Sequence, residues 1–417
     1  MIYQIFVGRF SSASIVNHSG NVLNRMMDYK WSNLKKRGFT HVYLLGLFDN
    51  RGAIYVQEEE GETIVSKLRL PSVFALSDHR AINPALGTRN ELIELISKIQ
   101  SAELKVIVDF VPNHRGLEHI WRDTHPDYFH YDQAEKLVKE FSGDVIKLDY
   151  QNFFLRKEMI QTLTFIAGLK ADGVRCDMAH FVILDFWQEA VEQVKALYPN
   201  FTFMGEVYPE NEMNLGVYKD FASIGFTGLY HGVLFSALEK YFNNHIGLES
   251  VCQHLNYISN QTYSDRLVNY VSNHDDVLSD IQTYREALVG LLLVCPGNVL
   301  IFNGTLLDRS KRLAHHYYDE LKNNEIAGSN LSEALERLLE FKKDIFIRDQ
   351  TFESLNNNIL CCRFKTKTDG SQHILLANLG QDDYQITPEI GSSYGIINNL
   401  STNKCLEPGM CEIFILE

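Results

Sequence analysis

The chain is short of basic residues: 39 Lys and Arg stand against 53 Asp and Glu, for a net charge of −14. A surface that binds phosphate backbones relies on clustered Lys and Arg, so nucleic-acid binding is excluded and neutral or cationic partners fit better. Long apolar runs are also missing. No window approaches the roughly 20 residues that span a bilayer, which excludes a membrane role. The opening "MIYQIFVGRFSSAS" has no basic leader and its apolar run breaks at Gly8 and Arg9, so it reads as the first structural element of a cytoplasmic protein. Zinc-like CxxC spacing is absent. The seven cysteines, at 176, 252, 295, 361, 362, 405 and 411, are an odd and scattered set, which points to free buried thiols in a reducing compartment rather than to disulfides. There is no internal repeat and no low-complexity tract.

What is present is the composition of an ordinary globular protein, with 45% hydrophobic and 22% charged residues over 417 positions. That length allows one large core and a smaller appendage. Eight β-branched or aromatic runs mark strands: residues 2 to 8, 41 to 47, 105 to 111, 173 to 177, 201 to 207, 225 to 231, 266 to 273 and 298 to 304. Helical patterns lie between them. Thr88 and Glu91 have capping-box spacing ahead of Leu92, Ile96 and Ile99; Leu155, Met159, Leu163 and Ile166 share one helical face; and Asp185 with Gln188 opens a third helix. Eight strands with interleaved helices predict an α/β fold, a closed (β/α)8 TIM barrel built from residues 1–114 and 151–345, with an open doubly wound sheet as the competitor. Residues 115–150 are too long for a simple βα loop and form an insertion subdomain after the third strand. Its aromatics, Trp121, Tyr128, Phe129 and Tyr131, suit either sugar stacking or the packing of a small unit. From 346 to 417 short strands separated by Gly, Asn, Asp and Pro predict a C-terminal all-β sandwich.

A barrel places chemistry at the C-terminal ends of its strands. Polar residues fall there repeatedly: Asp109, Asn113 and His114 after strand three; Arg175, Asp177 and His180 after strand four; Glu206 after strand five; Asn273, His274 and Asp275 after strand seven. Residues two apart on a strand share a face, so Arg175 is a natural ion-pair partner for Asp177 and holds it charged, with Cys176 turned toward the helices. Glu206 follows the apolar "FTFMG" and could face Asp177 and Asp275; burial and like charges would raise its pKa and make it a proton donor. One ionised and one protonated carboxyl flanking a bond are what glycoside hydrolysis requires. A lone carboxylate at a strand end is more often a helix cap or an ion-pair partner, but three carboxylates, an arginine and three histidines on one face reverse that expectation. "HHYY" at 315–318 is read as a solvated helix face, because adjacent helical residues point apart.

Four of these stretches, in order, resemble the sequence regions of the α-amylase family of glycoside hydrolases: "DFVPNH" (109–114), "GVRCDMAH" (173–180), "GEVY" (205–208) and "VSNHDD" (271–276). "IYQIFVGRF" and "SDHRAINPALGT" are also similar, so the likeness covers roughly residues 1–305. The resemblance implies retaining chemistry at α-glucosidic, chiefly α-1,4, bonds of malto-oligosaccharides or α-glucans. It implies that Asp177 is the nucleophile, Glu206 the general acid/base, and Asp275 the residue that holds sugar hydroxyls. Arg175 would orient Asp177, His114 and His274 would bond the sugar at the cleaved residue, and Asp109 and Asn113 would be structural supports.

Several positions depart from the family. Phe74 stands where a stacking tyrosine is usual. Lys147 aligns with an aspartate ligand of the family's calcium site, beside Asn113 and His180, so no metal and no other cofactor is expected. Ala179-His180 replaces Lys-His, Asp276-Val277-Leu278 replaces Glu-Pro-Arg, and "FNGT" (302–305) stands where Tyr-Gly-Glu or Tyr-Gly-Gln is common. These changes leave open substrate length, oligomeric state, and the alternatives of a transglycosylase or phosphorylase acting on α-glucosides or sucrose-like disaccharides. A non-catalytic carbohydrate-binding barrel is the alternative of another class.

Overall fold

The computed structural model describes residues 1–9, 21–50, 54–60, 63–69, 72–141, 143–209, 215–278, 281–303, 332–344, 347–386, 395–398 and 405–416. Eight parallel strands close a barrel: β1 (Ile2–Phe6), β2 (His41–Leu45), β3 (Lys105–Phe110), β4 (Gly173–Cys176), β5 (Thr202–Gly205), β6 (Gly228–Tyr230), β7 (Leu267–Asn269) and β8 (Asn298–Phe302). Each neighbours its sequence successor, and β8 returns to β1. All eight lie inside the runs marked in the sequence, and closure disposes of the open-sheet competitor. The strands are apolar almost throughout because their outward faces are covered by helices and their inward faces fill the barrel.

Helix α1 (Arg89–Ser101) carries the capping box at Thr88 and Glu91 and buries Leu92, Leu95, Ile96 and Ile99. Helix α2 (Phe153–Gly168) starts at Asn152, whose side chain accepts the N–H of Phe154 and Leu155, and it buries Leu155, Met159, Leu163 and Ile166. Helix α3 (Leu184–Leu197) differs from expectation. Ile183 occupies its N-cap without a side-chain bond, and Asp185 lies in the first turn, where a carboxylate still complements the helix dipole.

After β3 the chain leaves the barrel in a three-stranded antiparallel sheet of His114–Gly116, Val145–Lys147 and Lys139–Glu140. The strand begins at His114, so that residue belongs to the insertion rather than to the barrel rim. Trp121, Tyr128 and Phe129 are buried; Trp121 meets Tyr128 edge-on at 5.1 Å and lies 5.2 Å beneath the Arg115 guanidinium. Those three pack the subdomain, and Tyr131 is exposed. A second excursion, the hairpin Ile54–Glu60 with Thr63–Arg69, follows β2 and is not marked by the strand pattern of the sequence.

The C-terminal strands β9 (Ile347–Leu355), β10 (Ile359–Thr366), β11 (Gln372–Asn378) and β12 (Cys411–Leu416) form an antiparallel sheet, with Tyr384–Gln385 and Cys405–Leu406 paired beside it. Strand β10 is apolar at successive positions because both of its faces are buried. Leu360, Cys362 and Phe364 join the main core, whereas Ile359 and Cys361 join a separate cluster with Ile386 and Leu406. Asn256 fastens the sheet to the barrel by acting as a strand partner. Its amide donates to the Phe352 carbonyl at 2.7 Å and its oxygen accepts the Phe352 N–H at 2.8 Å. Six of the seven thiols are buried and all are free. The tract 315–318 lies outside the described residues.

Candidate active site

Strand register brings the carboxylates together. Arg175 on β4 pairs across to Asp109 on β3 and Met204 on β5. Beyond the strand ends the backbone stays bonded: the Asp177 N–H donates to the Phe110 carbonyl at 2.9 Å, and the Glu206 N–H to the Cys176 carbonyl at 3.0 Å. Arg175, Asp177, Glu206 and Asp109 are therefore fixed by the ladder itself, and all four are buried.

Arg175 is the hub. Its Nη1 donates to Asp177 Oδ1 at 2.5 Å and lies 4.0 Å from Asp109 Oδ1, while Nη2 sits 2.9 Å from Glu206 Oε1. One cation faces three carboxylates, so they cannot all stay ionised at low cost in a buried site. Burial raises Glu206 to about 8; Arg175 opposes that, and the charges of Asp177 and Asp275 add to it. Burial also raises Asp109 to about 6 against the pull of Arg175 and of the Tyr43 hydroxyl. Asp109 accepts hydrogen bonds from Tyr43 Oη and, at 2.8 Å, from the Gly46 N–H, which ties β3 to β2 and to the turn that follows it beneath the hub.

Around the hub, two histidines are oriented by amides. Asn113 Nδ2 lies 3.3 Å from His114 Nδ1, leaving the His114 proton on Nε2, which faces Asp177 Oδ2 at 3.8 Å. Gln4 Nε2 donates to His274 Nδ1 at 2.8 Å, so the His274 proton also sits on Nε2, 3.0 Å from Asp275 Oδ2. Asn273 Oδ1 accepts the N–H groups of Asp275 and Asp276, each at 2.7 Å, and so sets the turn that aims Asp275. The Phe74 ring lies 5.2 Å from the His274 ring and 5.4 Å from the Arg175 guanidinium. Phe74, Asp109, Asn113, His114, Arg175, Asp177, Glu206, His274 and Asp275 thus meet at one end of the barrel.

Several contributors were not singled out. Met178, directly after Asp177, has a left-handed backbone with φ +43°, and its N–H donates to Glu206 Oε2 at 2.8 Å. A non-glycine residue held there stores strain of the kind found at functional sites. Tyr208 Oη donates to Glu206 Oε1 at 3.4 Å, and Tyr230 underlies Arg175 at 5.5 Å. Tyr208 was visible in "GEVY" as a residue two positions on, hence on the same side as Glu206. Gln4, Tyr43 and Tyr230 are inward strand positions that looked like ordinary core. Asn303 in "FNGT" accepts the Tyr3 hydroxyl at 2.7 Å; residues 304 and 305 lie outside the described residues.

At the junction of barrel and insertion, Glu140 accepts the Asn113 amide at 2.5 Å on one oxygen and faces Lys147 Nζ at 3.2 Å with the other. His180 Nδ1 instead lies 3.2 Å from the Glu206 carbonyl. An amide N–H and an ammonium turned toward one carboxylate are donors, whereas a calcium site needs converging oxygens.

The family model for the α-amylase catalytic domain matches residues 25–139. An α-1,4-glucan:maltose-1-phosphate maltosyltransferase of Rhodospirillum rubrum is 26% identical over 212 residues, covering 48% of this chain and 28% of that protein. α-Amylase 3 of Dictyoglomus thermophilum is 22% identical over 352 residues, 73% of this chain and 63% of the relative. The chain therefore spans less than two thirds of the length of either relative. The crystal structure of an α-amylase from Lactobacillus plantarum superposes with a TM-score of 0.79 at 20% identity, covering 100% of this chain and 98% of that one. Among the described residues no helix is long and apolar enough to cross a membrane.

Proposed function

We propose that this chain, a member of the α-amylase family of glycoside hydrolases, cleaves α-glucosidic bonds in malto-oligosaccharides or α-glucans with retention of configuration. The observation that carries the reading is the sharing of one buried guanidinium by Asp177 and Glu206 while Glu206 is pushed up to about 8. Two carboxyls on one guanidinium favour the short separation, about 5–5.5 Å, that retaining enzymes use.

In the first step the Glu206 carboxyl proton passes to the glycosidic oxygen as that bond breaks, and an Asp177 oxygen bonds to the anomeric carbon. In the second step the ionised Glu206 takes a proton from water. The resulting oxygen nucleophile displaces Asp177 and releases the sugar. His114 and His274 present N–H groups, and Asp275 an acceptor, to the hydroxyls of the sugar beside the broken bond. Phe74 offers an apolar face there, without the hydroxyl a tyrosine would add. No metal takes part, and the Lys147 ammonium supports the junction in its place. Free buried thiols fit a cytoplasmic setting.

The similarity to a maltosyltransferase favours a second reading, in which the glycosyl group passes from Asp177 to a sugar or phosphate instead of water. Incubation with maltoheptaose, with and without phosphate or a sugar acceptor, separates the two by product chromatography. Hydrolysis predicts a net gain of reducing ends without an added acceptor, whereas transfer predicts no net gain, only redistributed chain lengths or, with phosphate, a sugar phosphate. Failure of either product to form on any α-glucan or disaccharide would refute the enzyme reading.

A further inference from the structure

A second cavity, of about 580 Å³, lies at the opposite end of the barrel from the carboxylates. Its floor is the N-terminal ends of barrel strands: Thr40 precedes β2, Asp265 precedes β7, and Cys295 to Gly297 precede β8. Its roof is the end of helix α4 (Glu333–Asp344) and the start of β9. Four cationic side chains line it, Lys342, Lys343, Arg348 and Lys367, against Asp265 and Asp349. Asp349 is already shared, 4.0 Å from Arg348 and 3.8 Å from Lys365.

Lys342 is the informative member. Its ammonium donates to the Leu293 carbonyl at 2.7 Å, and among the described residues no carboxylate pairs with it. Burial pushes it down to about 8. An ammonium held in a cavity wall without a counter-charge is costly unless an anion completes it, and in a chain of net charge −14 this concentration of positive charge runs against the average.

We propose that this cavity binds a small phosphorylated sugar, with Lys342, Lys343 and Lys367 around the phosphate. The volume is that of a site for a small organic molecule rather than for a bare ion. Ser264 and Gln350 supply hydroxyl and amide partners for sugar hydroxyls, the Ser259 hydroxyl being committed to the Leu255 carbonyl at 2.8 Å, and among the described residues that line the cavity none is aromatic. The site is separate from the cleft in which the glucan would be cut, so it adds a ligand to the protein and does not depend on the proposed reaction.

Isothermal titration of the full chain with glucose 6-phosphate, glucose and inorganic phosphate tests this, repeated on Asp177→Asn with excess maltoheptaose filling the catalytic cleft so that a ligand of the cleft would be displaced. Saturable binding of the sugar phosphate is expected in wild type and in Asp177→Asn, with no binding of glucose. The double variant Lys343→Gln/Lys367→Gln, altered near the surface and so little risk to folding, should weaken it about tenfold or more. Lys342→Met should do the same while leaving the thermal midpoint intact or raised. Equal affinity for inorganic phosphate would overturn the sugar assignment. Absence of saturable binding, or affinity unchanged in the double variant, would overturn the site.

Discussion

Arg175 and Lys147 hold carboxylates at the same end of the molecule, and they hold them in opposite ways. Arg175 is fully buried among Asp109, Asp177 and Glu206, with more negative groups than it can neutralise. Lys147 is partly exposed, faces one carboxylate, and that carboxylate is completed by the Asn113 amide. The first cluster is short of positive charge and keeps a proton in reserve. The second is matched and has none to give. Excess like charge in a dry site is what chemistry of the acid/base kind needs, whereas a matched pair near water supports structure.

The comparison breaks first at Asp177. Asp177→Asn leaves the shape and removes the nucleophile, and kcat on maltoheptaose should fall on the order of 10⁴-fold or more. Near-normal turnover would mean that the buried cluster is not where the bond is cut. The reserve proton is tested by pH. Glu206 must carry its proton to act as acid, so kcat/KM should decline as pH rises through about 8. A profile flat to pH 10 would remove Glu206 from that role.

The same shift has a consequence for stability. A carboxyl raised in the folded state contributes stability that is fully present below its ordinary pKa of 4.5 and is lost as pH rises through about 8. Glu206→Gln has no such charge to bury. The variant should be inactive yet more stable than wild type at pH 9, by roughly 2–4 kcal/mol, and no more stable at pH 4. Urea titrations at the two pH values measure the difference, and equal midpoints at pH 9 would show that Glu206 is not charged at a cost.

Why these residues could be found in the sequence follows from geometry. Arg175, Asp177 and Glu206 sit at strand ends, where a period of two and a parallel ladder fix both direction and neighbour. The barrel strands were legible for the same reason, as short apolar runs at regular spacing. Met178 was not, because a left-handed backbone at a methionine leaves no mark in composition. Gln4 and Tyr43 were hidden within apolar strands, their polar ends finding His274 and Asp109 only when the barrel closes. Glu140 lay 27 positions from Asn113, in a segment whose pairing depends on a bend the sequence does not announce.

The smallest effect belongs to the matched cluster, and it sharpens the contrast most. Lys147 and Glu140 are both reached by solvent, with side chains 34% and 17% exposed, so their attraction is screened. Lys147→Ala should cost about 0.5–1 kcal/mol. Because the wild-type junction turns donors toward Glu140, its thermal midpoint should be the same in calcium and in chelator. Lys147→Asp would set a second carboxylate beside Glu140 and exchange a matched pair for a repelling one. That variant should melt lower in chelator and regain its midpoint when calcium is added, since converging oxygens would then be available to a cation. A wild-type midpoint that falls in chelator and recovers with calcium would show that an ion, and not Lys147, holds the insertion to the barrel.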